Sequence, residues 1–197
     1  PAAPQGSGRG NAQAAGPRPY EQVITGRART ERGVISVHHV GDRWFFEMPD
    51  SAQQREFLMV SRISGVPEGG SGMAFAGSSV VERVIRFERV SDRVVVRSQG
   101  YRSVADDSLP IALSVARNNF TPVLASFPIQ AYGRDSASFV LDVTDFFAGD
   151  TPAISGVTAA ERTQWGVRRF DAARSWISGI RAFPMNVEVR HVQTFDA

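Results

Sequence analysis

Apolar and polar residues alternate most regularly between Val80 and Gly100. There, VVERVIRFERV and VVVRSQG flank a Ser-Asp-Arg turn and predict a β-hairpin. In its first arm Val81, Arg83, Ile85, Phe87 and Arg89 share one face, and Glu82, Val84, Arg86 and Glu88 share the other. A second hairpin is predicted where VISVHHV and WFFEMP, starting at Val34 and Trp44, flank Gly41-Asp42-Arg43. A helical turn over Asp50 to Gln54 follows. The run EFLMVSRI, Glu56 to Ile63, is apolar enough to predict a strand buried on both faces, closed by the loop over residues 65–72. Further strands are expected at Val123 to Tyr132, Ser138 to Val143 and Met185 to Phe195; in the last, Val187, Val189, His191 and Gln193 oppose Glu188, Arg190, Val192 and Thr194.

Helical signals are few. Ser108 and Pro110 open a run ending at Asn118-Asn119, which predicts one main helix near 108–118, with short turns at Asp145 to Gly149 and Ala159 to Trp165. Parallel βαβ units and internal repeats are absent from the pattern. The expected class is therefore mainly β (β-rich α+β), with antiparallel sheets or a sandwich built from hairpins. Trp44, Phe46, Leu58, Val60, Ile85, Phe87, Val95, Leu141 and Val189 form the expected core. Residues 1–19 hold no Val, Ile, Leu or aromatic side chain and predict a disordered tether, with an artificial leader as the alternative. Residues 20–197 form the β-rich module, with a small leading lobe over 20–50 as an option.

Composition narrows the chemistry. All 22 basic residues of the 197 are Arg, against 20 acidic ones, and a net charge of +2 spread along the chain is not the basic stripe of a nucleic-acid binder. Arg-only usage fits codon bias in a GC-rich genome. No apolar run approaches the roughly 20 residues needed to span a bilayer. With no Cys, thiolate metal sites, disulfides and Cys nucleophiles are excluded.

His38 and His39 are adjacent, so on one strand they face opposite ways, and His191 is distant in sequence; no metal site is expected from them. Asp106 with Asp107, and Asp142 with Asp145, are the paired carboxylates that a hydrolase would need. Helix capping by Asp106 or Asp107 and a turn started by Asp145 are the plainer reading. Arg168-Arg169, beside Trp165 and Phe170, reads as a solvated loop with an aromatic anchor rather than an RNA-stacking platform. No catalytic, cofactor-binding or metal-ligating residue is therefore assigned.

Four longer strings carry a resemblance: Tyr20 to Asp50, Val84 to Val90, Ser103 to Asp150 and Arg174 to Phe195. Together they resemble the N-terminal region of exported bacterial zinc-dependent metallopeptidases of metzincin type, whose leading segments are domains of unknown function. The resemblance implies a noncatalytic module, in a secreted, periplasmic or outer-surface bacterial protein, that partners the catalytic domain of the same polypeptide. Zinc would sit in that domain on an HExxHxxGxxH motif, which is absent from this sequence. A free-standing module for peptide or glycan is the alternative. The charged face of Glu82, Arg86 and Glu88 is a candidate contact surface.

Overall fold

A computed structural model describes residues 16–66, 68, 75–101 and 108–196. The protein is built mainly of antiparallel strands. A short helix α1 (Tyr20–Val23) precedes β1 (Arg29–Glu31), β2 (Ser36–Val40) and β3 (Arg43–Pro49). A 3-10 turn (Asp50–Ala52) leads to β4 (Glu56–Arg62), followed by β5 (Ser79–Val90) and β6 (Arg93–Gln99). Then come α2 (Ala112–Asn118), β7 (Val123–Tyr132), β8 (Ser138–Asp142), α3 (Thr144–Ala148), α4 (Pro152–Ser155) and α5 (Ala159–Trp165). The chain closes with β9 (Arg169–Ala182) and β10 (Val187–Asp196).

Both expected hairpins form. β2 and β3 turn through Gly41, whose φ of +58° is the left-handed conformation that glycine adopts without strain. β5 and β6 run in register from Val84↔Gln99 to Val90↔Arg93. Val81, Ile85 and Phe87 are buried on one face, as the alternation requires.

One curled sheet of eight strands, in the order β1-β2-β3-β8-β7-β6-β5-β4, dominates the molecule. Strands early in sequence thus stand at both ends of the sheet, and later strands fill its middle. The main core lies on the inner face around Phe46, Met48, Phe87, Phe127, Phe139 and Leu141. A smaller core on the opposite face joins Val23 and Ile24 to Phe45, Ala131 and Val140. A separate ribbon, β9 paired with β10, is carried beside the sheet. α3 packs between ribbon and sheet, where Phe146 meets Phe127 edge-on and Phe147 meets Phe46 at a tilt.

Several expectations are corrected. β4 is not buried on both faces: it ends the sheet, and Leu58 and Val60 are 63% and 41% exposed on its outer side. Its inner side, with Phe57 and Met59, is the one that packs on the core. Trp44 and Val189 are half-buried against the core rather than within it. The helix expected from Ser108 starts only at Ala112. Pro110 restricts the residue before it to extended backbone, which holds the preceding turn out of the helix. Arg168-Arg169 do not begin a solvated loop, since Arg169 opens the fourteen-residue strand β9. The tether expectation falls for residues 1–15 outside the described residues; Arg18 N donates to Gln130 O at 2.8 Å. Among the described residues no helix is long and apolar enough to cross a membrane.

Candidate functional site

The most concentrated chemistry lies on the outer face of the hairpin, beneath α1. His38 opposes Phe45 in the β2–β3 register, which brings His38 and Glu47 together as diagonal neighbours on one face. His38, 3% exposed, donates from Nε2 to Glu47 Oε2 at 2.8 Å, and its Nδ1 lies 2.8 Å from Thr30 Oγ1. Tyr20 OH donates to the same Glu47 oxygen at 2.8 Å, and Ser138 Oγ donates to Oε1 at 2.6 Å. Hydrogen bonds to the carboxylate, that of His38 first, outweigh the opposing effect of burial and lower the Glu47 pKa to about 2. Burial, followed by the bond to Glu47, raises Tyr20 to about 12.

Thr30, His38 and Glu47 form a hydroxyl–imidazole–carboxylate chain, the order of groups that activates a nucleophile. Here the carboxylate is spent on three donors, and neither groove described below is lined by any of the three residues. The cluster instead ties α1, β1, β2, β3 and β8 together. The alternation of WFFEMP held a signal for it, because Glu47 is the one ionisable residue in that run and lies two positions from the residue opposite His38. Gly133 is part of the same fit, since a Cβ there would strike Ser138 Oγ.

The other candidates fall as follows. Asp142 and Asp145 converge, but on a cation: Arg43 bonds Asp142 Oδ2 at 2.7 Å and Asp145 Oδ1 at 3.2 Å. Asp142 Oδ1 also accepts from Thr144 N at 3.0 Å, which fixes the start of α3. Asp106 and Asp107 lie outside the described residues. His39 stacks on Trp44 at 4.0 Å between ring centroids, on the face opposite to that of His38. His191 is half-buried beside Phe147, and burial lowers its pKa. No group of three His, Cys, Asp or Glu among the described residues could hold a metal ion. Arg169 pairs with Asp196, and Phe170 packs edge-on against Phe195. Of the charged β5 face, Arg86 is paired with Glu56 at 2.9 Å and Glu88 with Arg97 at 2.5 Å, while Glu82 is exposed.

A groove of about 980 Å³ opens between β4 and the first residues of β10. Phe57 and Met59 line one wall, Val187 and Val189 the other, and Phe87 and Phe147 lie at its base. Arg55, Arg62, Glu188 and Arg190 stand at its rim. A smaller hollow of about 530 Å³ lies on the ribbon at Ser178, Phe183 and Arg190. A third surface surrounds α2 in the connection from β6 to β7: Ile111 and Leu113 are each 60% exposed and Phe120 74%.

Residues 77–197 match the family described as Domain of unknown function (DUF5117), and residues 17–66 match Domain of unknown function (DUF5118). No curated protein and no solved structure matched the chain. The junction between the two matched segments does not divide the sheet, because β4 pairs with β5 and β3 with β8 across it.

Proposed function

The chain belongs to the DUF5117 family with a DUF5118 segment ahead of it, and from that premise we propose that it is a noncatalytic N-terminal module of a larger secreted or periplasmic zinc-dependent metallopeptidase of metzincin type, packing on the catalytic domain of the same polypeptide. The observation that carries this reading is the apolar surface around α2. Leu109, Ile111, Leu113, Phe120 and Val123 are large, exposed and close in sequence, and among the described residues α2 makes no extensive contact with any strand of the sheet. Clustered apolar surface of this kind marks a contact with another folded body. The four strings that resemble metallopeptidase leading segments support a metallopeptidase catalytic domain as that body. Zinc and the water-activating carboxylate would belong to the catalytic domain, and no residue of this chain is assigned to either.

The test is to express the downstream domain with and without residues 20–197 and to compare its yield, folding and peptidase rate. A marked loss without the module is expected, and Ile111→Ser with Leu113→Ser in the intact protein should reproduce part of it. Indistinguishable behaviour would overturn the reading. The second reading, a free-standing module for peptide or glycan, is favoured by the open groove beside β4.

A further inference from the structure

We propose that Thr30 is an acylation site: its hydroxyl, activated by the buried imidazole of His38, takes one acyl group from a small activated ester. The bonds that tie α1 to the strands also fix where each proton of the cluster lies. Glu47 is ionised, because the hydrogen bonds it accepts lower its pKa to about 2, so its oxygens can only accept. Nε2 of the neutral His38 ring, 2.8 Å from Glu47 Oε2, must then carry the ring proton. Nδ1 is left with a bare lone pair, and Thr30 Oγ1, 2.8 Å away, donates to it.

A hydroxyl within reach of a base, with the base oriented by a third group, is the arrangement that makes a nucleophile. The other two donors on Glu47 serve the same end. Tyr20 OH shares Oε2 with His38 and Ser138 Oγ holds Oε1, which keeps the carboxylate charged and aimed at the imidazole. The imidazole is 3% exposed, with the Tyr20 ring edge against it, whereas Thr30 stands exposed on β1. An exposed hydroxyl above a buried base separates this chain of groups from a wholly internal tie. Neither groove is lined by Thr30, so the acyl donor is a small ester arriving from solvent. Arg32 is exposed and has no carboxylate partner among the described residues, and its charge acts on Tyr20, which sets it on the side of the cluster. A guanidinium there favours negative charge on the carbonyl oxygen as it develops.

In the reaction Thr30 Oγ1 attacks the ester carbonyl carbon, and its proton passes to His38 Nδ1, giving an imidazolium that faces Glu47. The bond from the carbonyl carbon to the leaving alcohol oxygen then breaks, and the imidazolium proton goes to that oxygen. The products are an ester on Thr30 and the free alcohol. One acyl group per chain is a modification rather than turnover, so it is compatible with a noncatalytic module.

The inference stands apart from the metallopeptidase reading, because it is tested on this chain alone. The 197-residue protein is treated with p-nitrophenyl acetate, and its acetylated peptides are mapped by mass spectrometry. The chain has no Lys and no Cys, so the α-amino group is the main competing nucleophile. Thr30 is expected to acetylate at least about tenfold faster than any other Ser or Thr, and that preference should vanish in urea. Thr30→Ser should keep the label and Thr30→Val should lose it, both with unchanged circular dichroism because the site is exposed. His38→Gln should slow labelling of Thr30 by at least about tenfold; the urea comparison stands even if that variant does not fold. Acetylation spread evenly over exposed hydroxyls, a Thr30 preference that survives in urea or in folded His38→Gln, or p-nitrophenol release with no adduct on Thr30 would each overturn the proposal.

Discussion

The two ends of the curled sheet are built from the same stretch of sequence and finish in opposite ways. At the β1 end Glu31 clamps the ribbon, Thr30 and His38 join a half-buried carboxylate, and the α1 segment covers the outer face. At the β4 end no strand among the described residues pairs with the outer edge, Leu58 is exposed, and a groove runs along the inner side. Local composition would suggest the reverse, since β4 is the more apolar of the two strands. What separates them is the presence of a neighbour. The side chains of Thr30, Glu31 and His38 at the β1 end find partners within the chain, whereas the β4 end offers backbone groups and apolar walls for which the described residues supply no neighbouring strand.

If this contrast is one of edges alone, the floor of the open end should be as firmly packed as any core. Phe87→Ala, one strand in from β4, should cost about 3 to 5 kcal/mol in denaturant titration; a loss below about half a kcal/mol would mean that the open end is loose throughout. At the sealed end, Glu47→Ala leaves His38, Tyr20 and Ser138 without their acceptor and should cost about 3 kcal/mol. Glu47→Gln isolates the charge. Because the folded pKa of about 2 lies below the ordinary 4.5, the carboxylate's contribution is complete above pH 4.5 and is lost as pH falls towards 2. Stability of the parent should therefore drop through that window by about 2 kcal/mol more than that of the Gln variant; parallel curves would remove Glu47 from the account. Tyr20 works at the other extreme. Its contribution holds below pH 10 and fades as pH rises towards 12, and Tyr20→Phe should abolish that alkaline loss.

Smaller effects sharpen the comparison. A Cβ at Gly33 would collide with the backbone of Phe183, so Gly33→Ala should lift the ribbon from the β1 end at a cost of about 1 to 3 kcal/mol. Hydrogen exchange should then quicken in β9 and β10 while β5 and β6 are unaffected; a uniform change would show that the ribbon is not separately fastened. Leu58→Ser, on the exposed outer side of β4, should change stability by no more than about 0.5 kcal/mol. A larger loss would mean that this face is covered.

The two hairpins were legible in the sequence because a strict alternation meets a turn that fits it, Gly41-Asp42 in one and Ser91-Asp92 in the other. The burial of Ile85, Phe87 and Leu141 followed from the same period. β9 escaped because the ribbon slips register between Arg190 and His191 and again between Val192 and Thr194, which breaks the alternation that would have marked it. For β4 the residues were read correctly as a strand, but which strand lies beside it is decided some 30 residues away, in β5. The Glu47 cluster draws on Tyr20, Thr30, His38 and Ser138, and no local window holds all of them.

The order of strands also sets a timetable for the nascent chain. β1, β2 and β3 emerge first, yet the strand that β3 needs is β8; the Arg43–Asp142 bond closes a separation of 99 residues. Until β8 has left the ribosome, Phe45, Phe46 and Met48 lack the strand they pair beside, and β4 waits likewise for β5. Closing so long a loop costs entropy before any contact offsets it, so assembly of the sheet should be slow and should complete only after most of the polypeptide has been made. Truncations that end before Ser138 would accordingly leave the leading strands as aggregation-prone intermediates rather than as a smaller folded unit.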